Sequence, residues 1–168
     1  MEDNFTIIHM IGLVGAGKTY FINRHFPQDA QVFDIKMVYD LHQFSPGDLH
    51  NNFEAYEKFA QALQSELKFF LIKTQQLGFN YAIIESTGTN GALNKALRSY
   101  KDYRIWIEPD KYRMDATYLR ERPYAEELNK YLKKKWGKNE IYANNLYDPR
   151  FQEFDNPVPK RIAKLLVF

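Results

Sequence analysis

The sequence predicts an α/β fold of three layers, with a five-stranded, mainly parallel sheet held between helices. Two observations carry this. Short apolar runs of strand length alternate with segments of helical periodicity along the chain, the order that builds parallel sheets covered on both faces. The first apolar run also ends in a glycine-rich segment, Gly12-Leu13-Val14-Gly15-Ala16-Gly17-Lys18-Thr19, which leads into a helical pattern. With 168 residues, 45% of them hydrophobic, and no Gly/Ser linker, residues 1–168 are expected to form one domain with a sizeable core.

Phe5 to Ile11 is β-branched and apolar and reads as a buried first strand. The loop Gly12 to Gly17 follows it, and Lys18 to Phe26 reads as a helix stopped by Pro27. Gln31 to Asp34 is a short second strand. After the turn Ser45-Pro46-Gly47-Asp48, Leu49 to Leu77 carries apolar residues at three- and four-residue steps (Phe59, Leu63, Leu67, Phe70 and Leu71 among them), the stripe of one long helix. Gly78 is a suitable C-terminal stop.

Phe79 to Ile84 reads as a third buried strand ending at Glu85. A polar loop, Ser86 to Gly91, separates it from a short helix over Ala92 to Tyr100, and Tyr103 to Ile107 is a fourth strand. Beyond Pro109 the chain becomes strongly charged. Pro123 suits the first turn of a helix running to about Trp136 and closed by Gly137. Lys138 to Arg150 lacks periodicity and reads as a loop, Phe151 to Asp155 as the fifth strand, and Pro159 to Phe168 as a final helix.

Composition excludes several functions. The chain has no cysteine, so disulfides, thiolate chemistry and cysteine-based metal sites are absent. Its four histidines lack metal-ligand spacing, and His9, inside the first strand, reads as a hydrogen-bonded core residue. A formal charge of +2, from 23 basic and 21 acidic residues, gives no general attraction to nucleic acid or membrane. No apolar run approaches the length of a membrane span and no signal peptide is visible, so the expected location is cytoplasmic.

The pattern G-x-x-x-x-G-K-[ST] is complete from Gly12 to Thr19. Its glycines let the backbone curl so that successive N–H groups face phosphate oxygens, and the helix that follows adds its positive end. Lys18 reaches the β- and γ-phosphates of a nucleoside triphosphate, and the Thr19 hydroxyl is a ligand for Mg²⁺. Gly12, Val14, Gly15, Ala16, Gly17, Lys18, Thr19 and Tyr20 are therefore the expected nucleotide contacts. ATP and Mg²⁺ are the expected cofactors. GTP is disfavoured because no Asn-Lys-x-Asp guanine signature is present.

On these residues the sequence resembles the small P-loop kinases of the P-loop NTPase superfamily: the adenylate- and shikimate-kinase-like enzymes, the zeta-toxin-like kinases and the polynucleotide 5′-kinases. The specific match is confined to Gly12–Thr19, and the rest is element order. The resemblance implies a carboxylate at the end of the second strand near the acceptor hydroxyl, a place held here by Asp34. That residue is either a catalytic acceptor of the hydroxyl proton or the cap of a helix starting near Ile35. Shikimate-kinase-like enzymes often carry a second acid two residues later, where this chain has Lys36. The resemblance also implies an acid at the end of the third strand that holds the metal's water shell or positions the nucleophile. Glu85 stands there, in a place more usually held by Asp. Thr87, Thr89 and Asn90 follow it as polar candidates for acceptor contact.

After the fourth strand such kinases carry a lid, for which the candidate is about residues 109–136. Arg113, Arg120 and Arg122 fall within it. They are either solvated surface residues or the cations that neutralise the transferring phosphoryl group, with Arg113 nearest in role to nucleotide binding and Arg120 and Arg122 to catalysis. The resemblance thus implies an ATP-dependent phosphotransferase acting on a small-molecule or nucleotide acceptor. A polynucleotide 5′-hydroxyl kinase, or a nucleotide-binding regulatory ATPase with little kinase activity, would carry the same cradle. Nucleic acid is the less favoured partner, no membrane partner is expected, and the sequence leaves the acceptor's identity and the oligomeric state open.

Overall fold

The computed structural model describes residues 5–13, 15–44, 52–88, 90–98, 100, 102–107, 127, 130, 134 and 141–143. Their elements run β1 (Thr6–Ile11), α1 (Lys18–His25), β2 (Val32–Asp34), α2 (Ile35–Leu41), α3 (Phe53–Gln76), β3 (Tyr81–Ser86), α4 (Gly91–Leu97), β4 (Asp102–Ile107) and β5 (Ile141–Ala143). The strands form one sheet in the order β2-β3-β1-β4-β5, and all four pairings are parallel. The α/β class, the parallel sheet and its five strands agree with the sequence reading.

The two faces of the sheet are covered by different helices, which accounts for the unbroken apolar run of β1, buried at all six positions. On one face Ile8, Met10, Ile83 and Ile105 pack with Phe21 and Ile22 of α1 and with Phe26. On the other, Ile7, Phe33, Ala82 and Ile84 meet Val38 of α2, Phe59, Leu63, Leu67 and Leu71 of α3, and Leu93 and Leu97 of α4. Phe26 ends α1 in an extended conformation, as the residue before Pro27 must.

The long helix is shorter at its start than its apolar pattern suggests. Asn52 caps it by accepting the Ala55 N–H at 3.1 Å, so α3 begins at Phe53 rather than near Leu49. Its buried stripe follows four-residue steps from Phe59 to Leu71, and Phe53 and Leu77 lie outside the stripe, exposed. The fifth strand also differs from expectation. It occupies Ile141–Ala143, inside the stretch read as a loop, and pairs with Ile105, Trp106 and Ile107 of β4. The strand expected over 151–155 and the helix expected over 159–168 lie outside the described residues. Of the helix expected over 123–136, residues 127, 130 and 134 are described, and each is helical. No helix among the described residues is long and apolar enough to cross a membrane.

Gly12 fixes the junction between sheet and loop. A Cβ at this position would lie 2.7 Å from the Ile107 carbonyl oxygen, backbone of the neighbouring strand, and 3.5 Å from the Cβ atoms of Ala16 and Ile107. Gly12→Ala is therefore expected to lower stability by about 1–3 kcal/mol through overpacking against an atom that cannot rotate away. Thermal denaturation would show this as a midpoint lower by several degrees. An unchanged midpoint would mean that the loop and β4 are not held this close.

Candidate active site

Parallel strands end at the same edge of their sheet, and here the register sets the chemistry-bearing residues in one row. Asp34 of β2 pairs with Glu85 of β3, which in turn pairs with Met10 of β1; one step further, Ile11 pairs with Ser86. Just beyond this row the chain leaves β1 into the glycine-rich loop. Gly12 donates its N–H to the Ser86 carbonyl at 3.3 Å, and Ala16 donates to the Leu13 carbonyl at 3.0 Å, closing the loop on itself. Gly15 and Gly17 have φ values of 87° and 110°, left-handed conformations in which a side chain would be strained. Gly17 is also the N-cap of α1, and no side chain caps that helix or places an acid in its first turn. The positive end of α1 is thus left for an external anion.

Lys18 folds back over this loop. Its ammonium donates to the Gly12 carbonyl at 2.6 Å and the Leu13 carbonyl at 3.0 Å, and the side chain is buried. Burial pushes its pKa down to about 8, against the pull of Glu85 and Asp34, whose charges favour the ammonium. Thr19, the next residue, is exposed and donates its hydroxyl to Glu85 Oε1 at 2.9 Å. Burial raises the Glu85 pKa; the Thr19 hydrogen bond and the Lys18 charge work in the other direction, and Asp34 adds to the rise. One cation and two acids therefore act on each other at the mouth of the loop.

Asp34 has the capping role considered for it. It ends β2 and accepts the Lys36 N–H on Oδ1 at 2.9 Å, fixing the first turn of α2. A cap uses one carboxylate oxygen, so this does not remove the second from chemistry. Lys36 itself is exposed. Asn90 has a structural role too: its Oδ1 accepts the Leu93 N–H at 2.9 Å to cap α4, and its Nδ2 donates to the Tyr39 hydroxyl at 3.4 Å. Tyr20 is 44% exposed, and its hydroxyl accepts a hydrogen bond from Arg24, one turn on along α1, at 3.3 Å. Val14, Thr89, Arg113, Arg120 and Arg122 lie outside the described residues.

The sequence reading did not single out Ser86, or link His9 to the site. The two side chains meet at 2.6 Å, from strand positions on either side of the Met10–Glu85 pair, both buried. His9 stays neutral because burial, then the charges of Arg104 and Lys18, lower its pKa to about 3. A histidine inside an otherwise apolar strand was the available signal, since an imidazole buried this deeply requires a polar partner.

Among the described residues no three His, Asp or Glu side chains come together as a metal site. The pair Thr19–Glu85 still suits Mg²⁺, which takes hard oxygen ligands and is commonly held by one or two protein groups together with substrate phosphates.

No protein-family profile and no curated protein matches the chain. Solved structures do. A shikimate kinase from Aquifex aeolicus vf5 superposes with a TM-score of 0.50 at 19% identity, over 82% of this chain and 86% of that one. A sugar kinase from Janibacter sp. HTCC2649 gives a TM-score of 0.50 at 13% identity, over 89% of each chain. The chain therefore shares its fold with these two solved kinases.

Proposed function

We propose that this chain is an ATP-dependent phosphotransferase that moves the γ-phosphoryl group of ATP to a hydroxyl or phosphate of a small-molecule or nucleotide acceptor. The observation that carries the reading is the Thr19–Glu85 contact at 2.9 Å, beside Lys18 and in register with Asp34. It joins the first turn of the phosphate-binding helix to the end of β3, where metal-bound phosphates and an acceptor would meet.

Mg²⁺, when bound, supplies divalent charge that offsets the charge developing on the phosphates. Thr19 and Glu85 are the residues that would hold it. The loop from Gly12 to Gly17 and the open end of α1 bind the phosphate chain. Lys18 exchanges its Gly12 and Leu13 carbonyl partners for phosphate oxygens, which restores a charged partner to a buried ammonium. Asp34 keeps Oδ1 on its cap and takes the acceptor's proton on Oδ2. The acceptor oxygen forms the new O–P bond, the bond from the γ-phosphorus to its bridging oxygen breaks, and ADP leaves. Arg113, Arg120 and Arg122 are proposed to neutralise the phosphoryl group from the lid side, as the resemblance implies.

The deciding experiment incubates purified protein with Mg-ATP labelled in the γ-phosphate and a panel of sugars, hydroxy acids, nucleosides and nucleotides. Transfer of label to one of these acceptors is the expected result. ATP binding without transfer to any acceptor would overturn the kinase reading in favour of a regulatory nucleotide binder. Label on the 5′ end of an included oligonucleotide, with strongly salt-dependent binding, would identify the polynucleotide reading instead.

A further inference from the structure

Ser86 follows Glu85 and closes β3, and its atoms reach three different parts of the site. Its carbonyl accepts the N–H of Gly12, the first residue of the phosphate loop, at 3.3 Å. Its Oγ accepts the N–H of Gly88 at 3.0 Å and lies 2.6 Å from His9 Nε2. Gly88 has a φ of 84°, and its carbonyl accepts Asn94 Nδ2 from α4 at 3.1 Å. His9 and Ser86 are 1% and 5% exposed, so water does not compete for these bonds.

A serine hydroxyl has one proton and two acceptor lone pairs. The Gly88 N–H occupies one lone pair, which leaves the hydroxyl proton and the second lone pair to meet the imidazole, so Ser86 Oγ is held from two sides at once. A core position on β1 needs only an apolar side chain, as Ile7 two residues earlier shows. An imidazole there costs desolvation that a simple core residue would not. What the imidazole adds is direction, because it fixes the rotamer of the residue next to Glu85.

We infer that His9 is a positioning residue that acts through Ser86, holding the carboxyl end of β3 so that Glu85 faces Thr19. The inference rests on the reading of Thr19 and Glu85 as the metal-side groups. It adds that their alignment is set from inside the sheet by a buried histidine acting through Ser86. Outer partners that orient a metal ligand are typically worth 10–100-fold in metal affinity, which sets the scale of the effect expected here.

The test measures binding of a fluorescent ATP analogue to the intact chain, once in EDTA and once with Mg²⁺, for wild type, Ser86→Ala, Ser86→Thr, His9→Leu and His9→Gln. The threonine keeps the hydroxyl, and the glutamine carries a polar group about as far from the backbone as Nε2. Ser86→Ala and His9→Leu are expected to keep the wild-type affinity in EDTA. Their gain in affinity on adding Mg²⁺ should shrink by about tenfold or more. Ser86→Thr and His9→Gln should retain that gain. Parallel loss in both conditions would reduce the brace to a folding contact, and an undiminished Mg²⁺ gain in Ser86→Ala would overturn the inference outright. Should Ser86→Ala fail to fold, His9→Leu against His9→Gln gives the same two outcomes. A wild type whose binding ignores Mg²⁺ would instead strike at the Thr19–Glu85 reading itself.

Discussion

Asp34→Asn should slow phosphoryl transfer by about 10²–10⁴-fold, the usual contribution of a positioned general base, while leaving the thermal midpoint unchanged. The substitution separates two roles held by one side chain. As a cap, Asp34 accepts the Lys36 N–H on a side-chain oxygen, and asparagine is an equally good N-cap. As a proton acceptor it needs the charge that asparagine lacks. Asp34→Ala removes both functions, so it should show the same rate loss together with about 0.5–2 kcal/mol of destabilisation. Initial rates with an acceptor that the wild type phosphorylates, paired with thermal denaturation of all three proteins, make the comparison. Full activity in Asp34→Asn would leave the residue as a cap alone.

Lys18→Met should weaken ATP binding by at least about a hundredfold. Two charge-assisted hydrogen bonds to phosphate are lost, each worth about 1.5–3 kcal/mol. The same variant tests the electrostatics of the unliganded loop. Burial lowers the Lys18 pKa from 10.5 in the free side chain to about 8 in the folded protein. Between those values the unfolded chain binds one proton more than the folded chain, so the contribution of Lys18 to stability rises with pH. Below pH 8 both states hold the proton and the cost of burying the charge is fully present. Stability measured relative to Lys18→Met should therefore improve for the wild type as pH climbs from 8 towards 10. Chemical denaturation at a series of pH values would show it, and a constant difference would contradict a depressed lysine.

The parts of this fold that were legible in sequence are those where burial on both faces writes itself into composition. β1 and β3 are apolar along nearly their whole length because helices cover each side, and each run ends at a residue of chemical interest, Gly12 and Glu85. The loop was legible because Gly15 and Gly17 adopt conformations that other residues resist. β5 was not legible, because a three-residue edge strand is too short for alternation to show against its polar neighbours. The start of α3 was misjudged because Leu49 extends the apolar pattern, whereas the side-chain cap from Asn52 sets where the helix begins. The His9–Ser86 contact joins residues distant in sequence through the parallel register of β1 and β3, and periodicity within either strand carries no record of it. Asp34 is a different case. Its position was readable, but its two oxygens allow two roles, and geometry adds the cap without removing the chemistry.

The close approach of Gly12 to Ile107 bears on how the molecule is made. The phosphate loop is translated well before the wall it rests on, which belongs to β4. β1 sits between β3 and β4, so neither edge of the first strand is paired until β3 has been made, and its second edge waits for β4. The loop is therefore written early and shaped late. A nascent or truncated chain that stops before β4 carries every residue of the phosphate motif but lacks the backbone that gives it form. During synthesis, competence to hold a nucleotide should arrive with Ile107 and not with Thr19.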